Sequence, residues 1–286
     1  MMRSASRAAT EALRTGTSAA IDGEKSVDAL LELAAQLYSV AELLVDEPRL
    51  RRTLGDPAAE PARRAALIAS VLEGKIGTSA GQIVGSTVSE RWSSPWDMTD
   101  ALETAGDEAL FAAAERDRQL DRVVDELFRF ERLLDTESEL TTLLDEAVVE
   151  PARRVALLDD VLGDKVHVIT KALLEHAIRS QRKRTITLAI DDLLEEAAAR
   201  QAQSLARVIS AVPLTAEQTS RLAAAMSELY AKPITVRTAV VPAVLGGLVI
   251  RIGDEVIDGS VASRLIDARH GLAAQASKAD TTTRTR

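Results

Sequence analysis

The octapeptide EPARRAAL at residues 60–67 returns as EPARRVAL at residues 150–157, with seven of eight letters unchanged. The copies stand 90 residues apart. A repeat at fixed spacing constrains a fold strongly, because one supersecondary unit must then be built twice from one apolar pattern. At the same offset Leu30 meets Leu120, Leu33 meets Val123 and Leu37 meets Leu127. Tyr38 meets Phe128, Leu54 meets Leu144, and Val71-Leu72 meets Val161-Leu162. Apolar positions recur while surface letters drift, as expected when burial constrains only the core face.

Both copies read as helices. Leu120, Val123, Val124, Leu127, Phe130 and Leu134 follow the i, i+3, i+4, i+7 spacing of an amphipathic helix. Pro61 and Pro151 suit a first helical turn, where a missing N–H costs nothing. Glu60 and Glu150 precede them at the positive end of the helix dipole. The reading puts Leu67, Val71, Leu157 and Val161 inward and the two Arg of each phrase in solvent. A period of 90 is too long for a solenoid unit of two or three helices and fits a bundle of four to six. Ser93-Ser94-Pro95 breaks the chain between copies, and Trp92 and Trp96 beside it read as core packing.

After Gln181 a long helix is expected, with Leu188, Leu193, Leu194, Ala197 and Ala198 along one side and acid largely on the other. The period then changes. Val208 to Thr215 reads as a strand, and Thr215 as the N-cap of a helix carrying Leu222, Met226 and Leu229. Residues 233–242 read as a second strand, with Ile234 and Val236 on one face. Leu248, Ile250 and Ile252 mark a third, and Gly253-Asp254 a tight turn into a fourth. Ser260 reads as the N-cap of a last helix. The expected class is therefore α+β, mostly α: two tandem helical bundles and a small α/β module. The boundaries fall at 1–92, 93–185, a connecting helix 186–205, the module 206–275 and a disordered tail 276–286.

Composition narrows the function. The chain has 286 residues, net charge −9 and 2% aromatics, a poor match to a phosphate backbone or to stacked bases, so no nucleic-acid partner is expected. Residues 101–150 hold 15 Asp and Glu against 5 Arg. That stretch reads as a solvated helix face, or as a docking face for a basic partner. With no cysteine, disulfides, thiol catalysis and cysteine metal sites are excluded. Arg3, Arg7 and Arg14 near the start read as part of a short first helix rather than a transit peptide.

Catalytic patterns fail one by one. His167, His176 and His270 are scattered, read as surface or boundary residues, and lack zinc spacing. Gly246-Gly247 has no following Gly-Lys-Ser/Thr, so it reads as a bulge or close backbone approach, not a phosphate cradle. Ser260 has no His in a predictable relation to it. Glu195-Glu196 are sequence neighbours that diverge on a helix. No catalytic, cofactor-binding or metal residue is assigned, and no cofactor is expected.

The stretches VISAVPLTAEQ and LGGLVIRIGDEVIDGSVASRL resemble the delta subunit of F-type ATP synthases, the family of the mitochondrial oligomycin-sensitivity-conferring protein. The resemblance rests on Ser210, Ala211, Gly246, Gly247, Gly253, Asp254, Asp258, Gly259, Ser260 and Arg264, motif residues with a structural rather than catalytic role. The segment of about 101–185 sits where that family has its helical domain. Three departures stand out: Val241 replaces an acidic residue before Pro242, Ala262 replaces a basic residue after Val261, and the bundle of about 1–92 is extra. Duplicated segments of this kind resemble actinobacterial forms. The resemblance implies a non-catalytic stator adaptor of a proton-translocating ATP synthase. Its helical domain would grip alpha subunits of the catalytic head, and its C-terminal module the b-subunit stalk. It would be peripheral, on the cytoplasmic face of the bacterial cell membrane, with no homo-oligomer. The alternative is a helical scaffold unconnected to ATP synthesis. The second bundle, joined directly to the module, is expected to hold the head.

Overall fold

Helix starts recur 90 residues apart at Pro48 and Ser138, at Pro61 and Pro151, and at Thr78 and Val168, while Val27 and Leu120 stand 93 apart. The computed structural model describes residues 4–146, 148–180, 185–203, 205–230, 234–241, 246–252 and 255–259. In the first copy α1 (Ser4–Gly23) and α2 (Val27–Asp46) are followed by α3 (Pro48–Leu54), α4 (Pro61–Leu72) and α5 (Thr78–Ser89). Next comes α6 (Pro95–Arg116), and then α7 (Leu120–Thr136), α8 (Ser138–Asp145), α9 (Pro151–Leu162) and α10 (Val168–Arg179) repeat α2 to α5. The helix α11 (Ile186–Gln203) follows. Two compact units result, Met1–Ala197 and Ala198–Arg286.

Within the first unit the copies are not separate bodies. One apolar core runs from Ala9 to Ala197, and α6 is its axis. Met98, Leu102, Ala105, Ala109, Leu110, Phe111 and Ala113 are all buried, so α6 is covered on several sides, unlike a surface helix with one apolar stripe. It packs on α1, α2, α3 and α5 of the first copy and on α7 and α10 of the second. Small residues permit the close approach. A Cβ added to Gly106 would stand 2.3 Å from Tyr38 Cε1, so α2 lies directly against that backbone. Where α6 closes the first copy, Pro95 sits against Gly55. Where α11 closes the second, the Ile186 N–H donates to Asp145 Oδ1 at 2.7 Å, and Asp145 is the counterpart of Gly55.

The repeated phrase has a role that the sequence reading missed. Arg63 and Arg153 are in solvent, Arg63 loosely paired with Glu60 at 3.4 Å. Arg64 and Arg154 are not: they are 4% and 5% exposed. The Arg64 guanidinium donates to Leu54 O at 3.1 Å, Glu90 O at 3.0 Å and Ser89 O at 3.1 Å. It thereby closes the carbonyl ends of α3 and α5, which no intrahelical N–H can reach. Arg154 donates to Leu144 O at 3.1 Å, the same carbonyl one repeat later. With Arg on the inner face, the apolar stripe moves one residue on. Ile68, Leu72, Leu158 and Leu162 are the buried positions, Leu67 is 37% exposed, and Val71, Leu157 and Val161 are only partly buried.

Two further contacts repeat with changed letters. Arg51 donates to Leu44 O at 2.6 Å; its counterpart Thr141 donates through Oγ1 to Leu134 O at 2.7 Å. Gln36 Oε1 accepts the Gly77 N–H at 2.7 Å at the start of α5. Glu126 Oε2 accepts the His167 N–H at 2.8 Å at the start of α10, and also the Thr170 hydroxyl at 2.6 Å. Burial raises the Glu126 pKa, but the hydrogen bonds from Thr170, His167 and Arg122 outweigh it and hold the carboxyl below its ordinary value.

In α11 the buried stripe is Ile186, Ile190, Leu193 and Ala197; Leu193 and Ala197 are buried as expected and Leu194 is partly buried, but Leu188 is 54% exposed and Ala198 is exposed. A stripe at i, i+4, i+7 and i+11 fits the helix equally well, and the neighbouring helices choose between them. Trp92 is buried and donates Nε1–H to Thr87 O at 2.8 Å. Trp96 is instead 37% exposed, with the Arg51 guanidinium 3.5 Å above its ring.

In the second unit the strands are β1 (Leu205–Ser210), β2 (Thr235–Val240), β3 (Leu248–Ile252) and β4 (Glu255–Asp258), with α12 (Ala216–Leu229) after β1. Strand β1 begins and ends earlier than the sequence suggested. The order is β2-β1-β3-β4. Strands β1 and β2 pair in parallel, Leu205 opposite Thr235, while β3 and β4 add antiparallel pairs. Parallel neighbours need a crossover, which α12 supplies. Thr215 starts that helix through a capping box with Gln218. The core is Ala206, Val208, Ile234, Ile250 and Ile252, backed by Leu222, Met226 and Tyr230. Leu229 is 67% exposed.

Arg64→Ala and Arg154→Ala each leave buried carbonyls without a donor. Each is expected to cost about 2–4 kcal/mol. Arg63→Ala, in the same phrase, should stay within about 0.5 kcal/mol of wild type. Urea melts of the variants decide this, and equal losses at residues 63 and 64 would refute the carbonyl-closing role. Glu126→Gln tests the lowered carboxyl. A depressed pKa stabilises above the unfolded value of about 4.3 and is lost as pH falls through the folded one. The variant should therefore be weaker by about 1–2 kcal/mol at pH 7, with the gap closing below pH ~4. A gap independent of pH would show that the charge contributes nothing.

Candidate functional site

The two copies meet at Tyr38. Its hydroxyl donates to Asp107 Oδ1 of α6 at 2.6 Å. Its ring stacks on His176 of α10, with centroids 3.5 Å apart and planes 10° from parallel. Burial, then the Asp107 charge, pushes the phenol well above its ordinary pKa, so it stays a neutral donor. His176 is 6% exposed, not at the surface, because Tyr38 arrives from the other copy, a contact that local periodicity cannot show. His167 N-caps α10, its Nδ1 accepting the Ile169 N–H at 3.3 Å. His270 lies outside the described residues.

This three-residue seam separates two clefts. The smaller, about 320 Å³, runs between α2 and α10 over Leu110 and is lined by Leu31, Ala34, Tyr38, Ala172 and His176. The larger, about 540 Å³, lies between α6, α10 and α11. Its apolar lining is Leu173, Ala177, Ala189 and Leu193, and its carboxylates are Asp100, Glu103, Asp107, Asp192 and Glu196. Trp96, Ser94 and Ser180 complete the lining. The apolar strip can receive the apolar stripe of an amphipathic helix. The acid of residues 101–150 is thus divided. Glu103 and Asp107 face this cleft, Glu126 caps a helix, and Asp121 and Asp125 are on the outer side of α7.

Of the motif residues near the C-terminus, the described ones, Ser210, Ala211, Gly246, Gly247, Asp258 and Gly259, gather at one end of the sheet. Ser210 is 2% exposed, and its hydroxyl donates to Val212 O at 2.7 Å. The Ser210 carbonyl accepts the Val241 N–H at 2.8 Å, and Ala211 follows the strand. Gly246 and Gly247 hold φ of 92° and 84° on the way into β3, a region that favours glycine. Ser210 pairs with Leu248, and Leu248 O accepts the Gly259 N–H at 2.9 Å. A Cβ on Gly259 would stand 3.2 Å from that oxygen. Asp258 ends β4 opposite Val249. Gly253, Asp254, Ser260 and Arg264 lie outside the described residues.

Among the described residues no three His, Asp or Glu are grouped to hold a metal ion. No helix among them is long and apolar enough to cross a membrane.

A family model described as ATP synthase delta (OSCP) subunit matches residues 107–272, which leaves α1 to α5 outside the match. The chain is 42% identical to "ATP synthase subunit delta" of Acidothermus cellulolyticus over 85% of this chain and 88% of that one. It is 39% identical to the protein of the same description from Corynebacterium urealyticum, over 95% of this chain and all of that one. It is also 38% identical to "ATP synthase subunit b-delta" of a Mycobacterium species, over 95% of this chain and 61% of that one. With most of its length aligned at such identity, the chain belongs to the ATP synthase delta (OSCP) subunit family, the peripheral-stalk component of the F-type enzyme.

Proposed function

We propose that the chain works as a non-catalytic adaptor, with its helical unit on the catalytic head and its C-terminal module on the stalk. The observation that carries this reading is the cleft between α6, α10 and α11. Its volume of about 540 Å³ and its apolar lining of Leu173, Ala177, Ala189 and Leu193 suit the apolar stripe of one amphipathic helix. An N-terminal helix of an alpha subunit of the head is the proposed occupant. The cleft belongs to the second copy, which makes that copy the grip on the head. The C-terminal module, about 206–275, is the proposed site for the end of the b subunit, with Ser210, Gly246, Gly247 and Gly259 shaping the sheet end that would receive it. The complex would hold the protein peripherally, at the cytoplasmic face of the cell membrane. Holding a head against torque requires fixed surfaces and no turnover.

Thr104→Trp and Ser180→Trp put bulk into the cleft from partly exposed positions. Each should weaken binding of an alpha-subunit N-terminal peptide to the full chain at least tenfold, or about 1.4 kcal/mol, as read by calorimetry. Unchanged affinity would remove the cleft from the reading. A chain ending at Gln203 should keep that peptide and lose capture of the b subunit; retained capture would assign the stalk contact to the helices.

A further inference from the structure

Several contacts between the copies fall on letters that the repeat did not keep. Trp96, Asp107 and His176 line the larger cleft, and each touches a side chain of the first copy. The Arg51 guanidinium lies 3.5 Å above the Trp96 ring. The Tyr38 hydroxyl donates to Asp107 at 2.6 Å, and the Tyr38 ring stacks on His176. One repeat earlier, the positions of the three cleft residues hold Ser6, Thr17 and Ser86. There α1 packs on both α5 and α6, and Ser6 and Thr17 are buried. One repeat later, the positions of Arg51 and Tyr38 hold Thr141 and Phe128. Thr141 shows what position 51 needs for the fold alone. Its hydroxyl closes the Leu134 carbonyl as Arg51 closes that of Leu44, so closure requires neither charge nor reach. Arg51 adds a flat cation that also donates to Val45 O at 3.0 Å and extends from the end of α2 to Trp96. Phe128 likewise shows that an aromatic at its position needs no hydroxyl. Tyr38 has one, and it goes to Asp107.

We infer that the first copy is a brace for the cleft of the second, with Arg51 and Tyr38 as positioning residues for Trp96, Asp107 and His176. The role presupposes that the cleft is the binding site proposed above. Trp96 is 37% exposed. An indole free to turn at the wall of a cleft has to be ordered when a ligand binds, and that ordering weakens affinity. A guanidinium anchored on two carbonyls and laid over the ring fixes it beforehand. Tyr38 does the same deeper in the cleft, where one side chain holds a carboxylate through its hydroxyl and an imidazole through its ring face. Helices α2 and α3 thereby act from behind on a surface formed by α6, α10 and α11. The extra copy is on this account no second grip on the head. It sets the shape of the one grip from residues that contact no partner.

The test uses the full chain labelled with heavy nitrogen, whose two tryptophans give two indole N–H resonances. Loss of a resonance in Trp96→Phe assigns that of Trp96. An alpha-subunit N-terminal peptide should shift it in the wild-type chain. Arg51→Lys keeps a donor for Leu44 O but offers no flat face to the ring. It should lower the heteronuclear NOE of the Trp96 indole in the free chain and weaken peptide affinity about fivefold. Tyr38→Phe keeps the stack on His176 and loses only the hydroxyl; it should weaken affinity about threefold. Thr141→Val removes the matching carbonyl closure from the second copy. It should lower the unfolding midpoint while the Trp96 indole and the affinity stay as in wild type. All variants are compared below their unfolding midpoints. Wild-type affinity in either Arg51→Lys or Tyr38→Phe, or an indole as ordered in Arg51→Lys as in wild type, would overturn the inference. So would an equal loss of affinity in Thr141→Val, since carbonyl closure alone would then account for the effect. A wild-type Trp96 resonance that ignores a bound peptide would instead overturn the reading of the cleft on which the brace depends.

Discussion

Helix α6 closes one copy of the repeat and opens the next, and most of the first unit follows from that double duty. A helix used by two bundles must be apolar around much of its circumference, and Met98, Leu102, Ala105, Leu110, Phe111 and Ala113 meet the requirement. It must also let neighbours come close. Gly106 does so where the Tyr38 ring lies. The carboxylates Asp100, Glu103 and Asp107 then fall along the side that α11 and α10 leave as a cleft. Core, seam and cleft are three sides of one helix.

The repeated octapeptide serves this arrangement locally. A short helix exposes four carbonyls at its end, and a bundle of short helices multiplies the problem. One guanidinium with its fork of donors satisfies two helix ends at once in the first copy. The strong retention of Arg64 and Arg154 over 90 residues, beside drifting surface letters, is the retention of a buried polar group that has no cheap substitute. Elsewhere the chemistry drifted while the contact stayed. Arg51 and Thr141 close equivalent carbonyls, and Gln36 and Glu126 cap equivalent helices.

Much of this was legible beforehand. The 90-residue period, the starts at Pro61 and Pro151, the capping Thr215 and the strands through Val236 and Ile250 all depend on local pattern, which a sequence displays. The misreadings share a cause. Arg64 and Arg154 were placed in solvent because a charge normally goes there, and the carbonyls that hold them come from other helices. His176 looked peripheral because Tyr38, which covers it, is 138 positions away. The stripe of α11 was right at Leu193 and Ala197 and wrong at Leu188 and Ala198, because two overlapping stripes fit its letters and only neighbours distinguish them. The large cleft had no signature, since α6 meets α10 and α11 from a distant segment, and of its five carboxylates only Glu103 and Asp107 fall in the acidic stretch 101–150.

Sharing a helix also bears on descent. Two tandem copies joined by a linker can lose one member and leave the other intact. Here the cut between Trp92 and Pro95 removes the neighbours of α6 on α1, α2, α3 and α5 and bares Leu110, Gly106 and the residues about them. The surviving copy would need new polar letters along that helix before it could stand alone. The two copies are thereby bound to each other by the apolar side of a single helix.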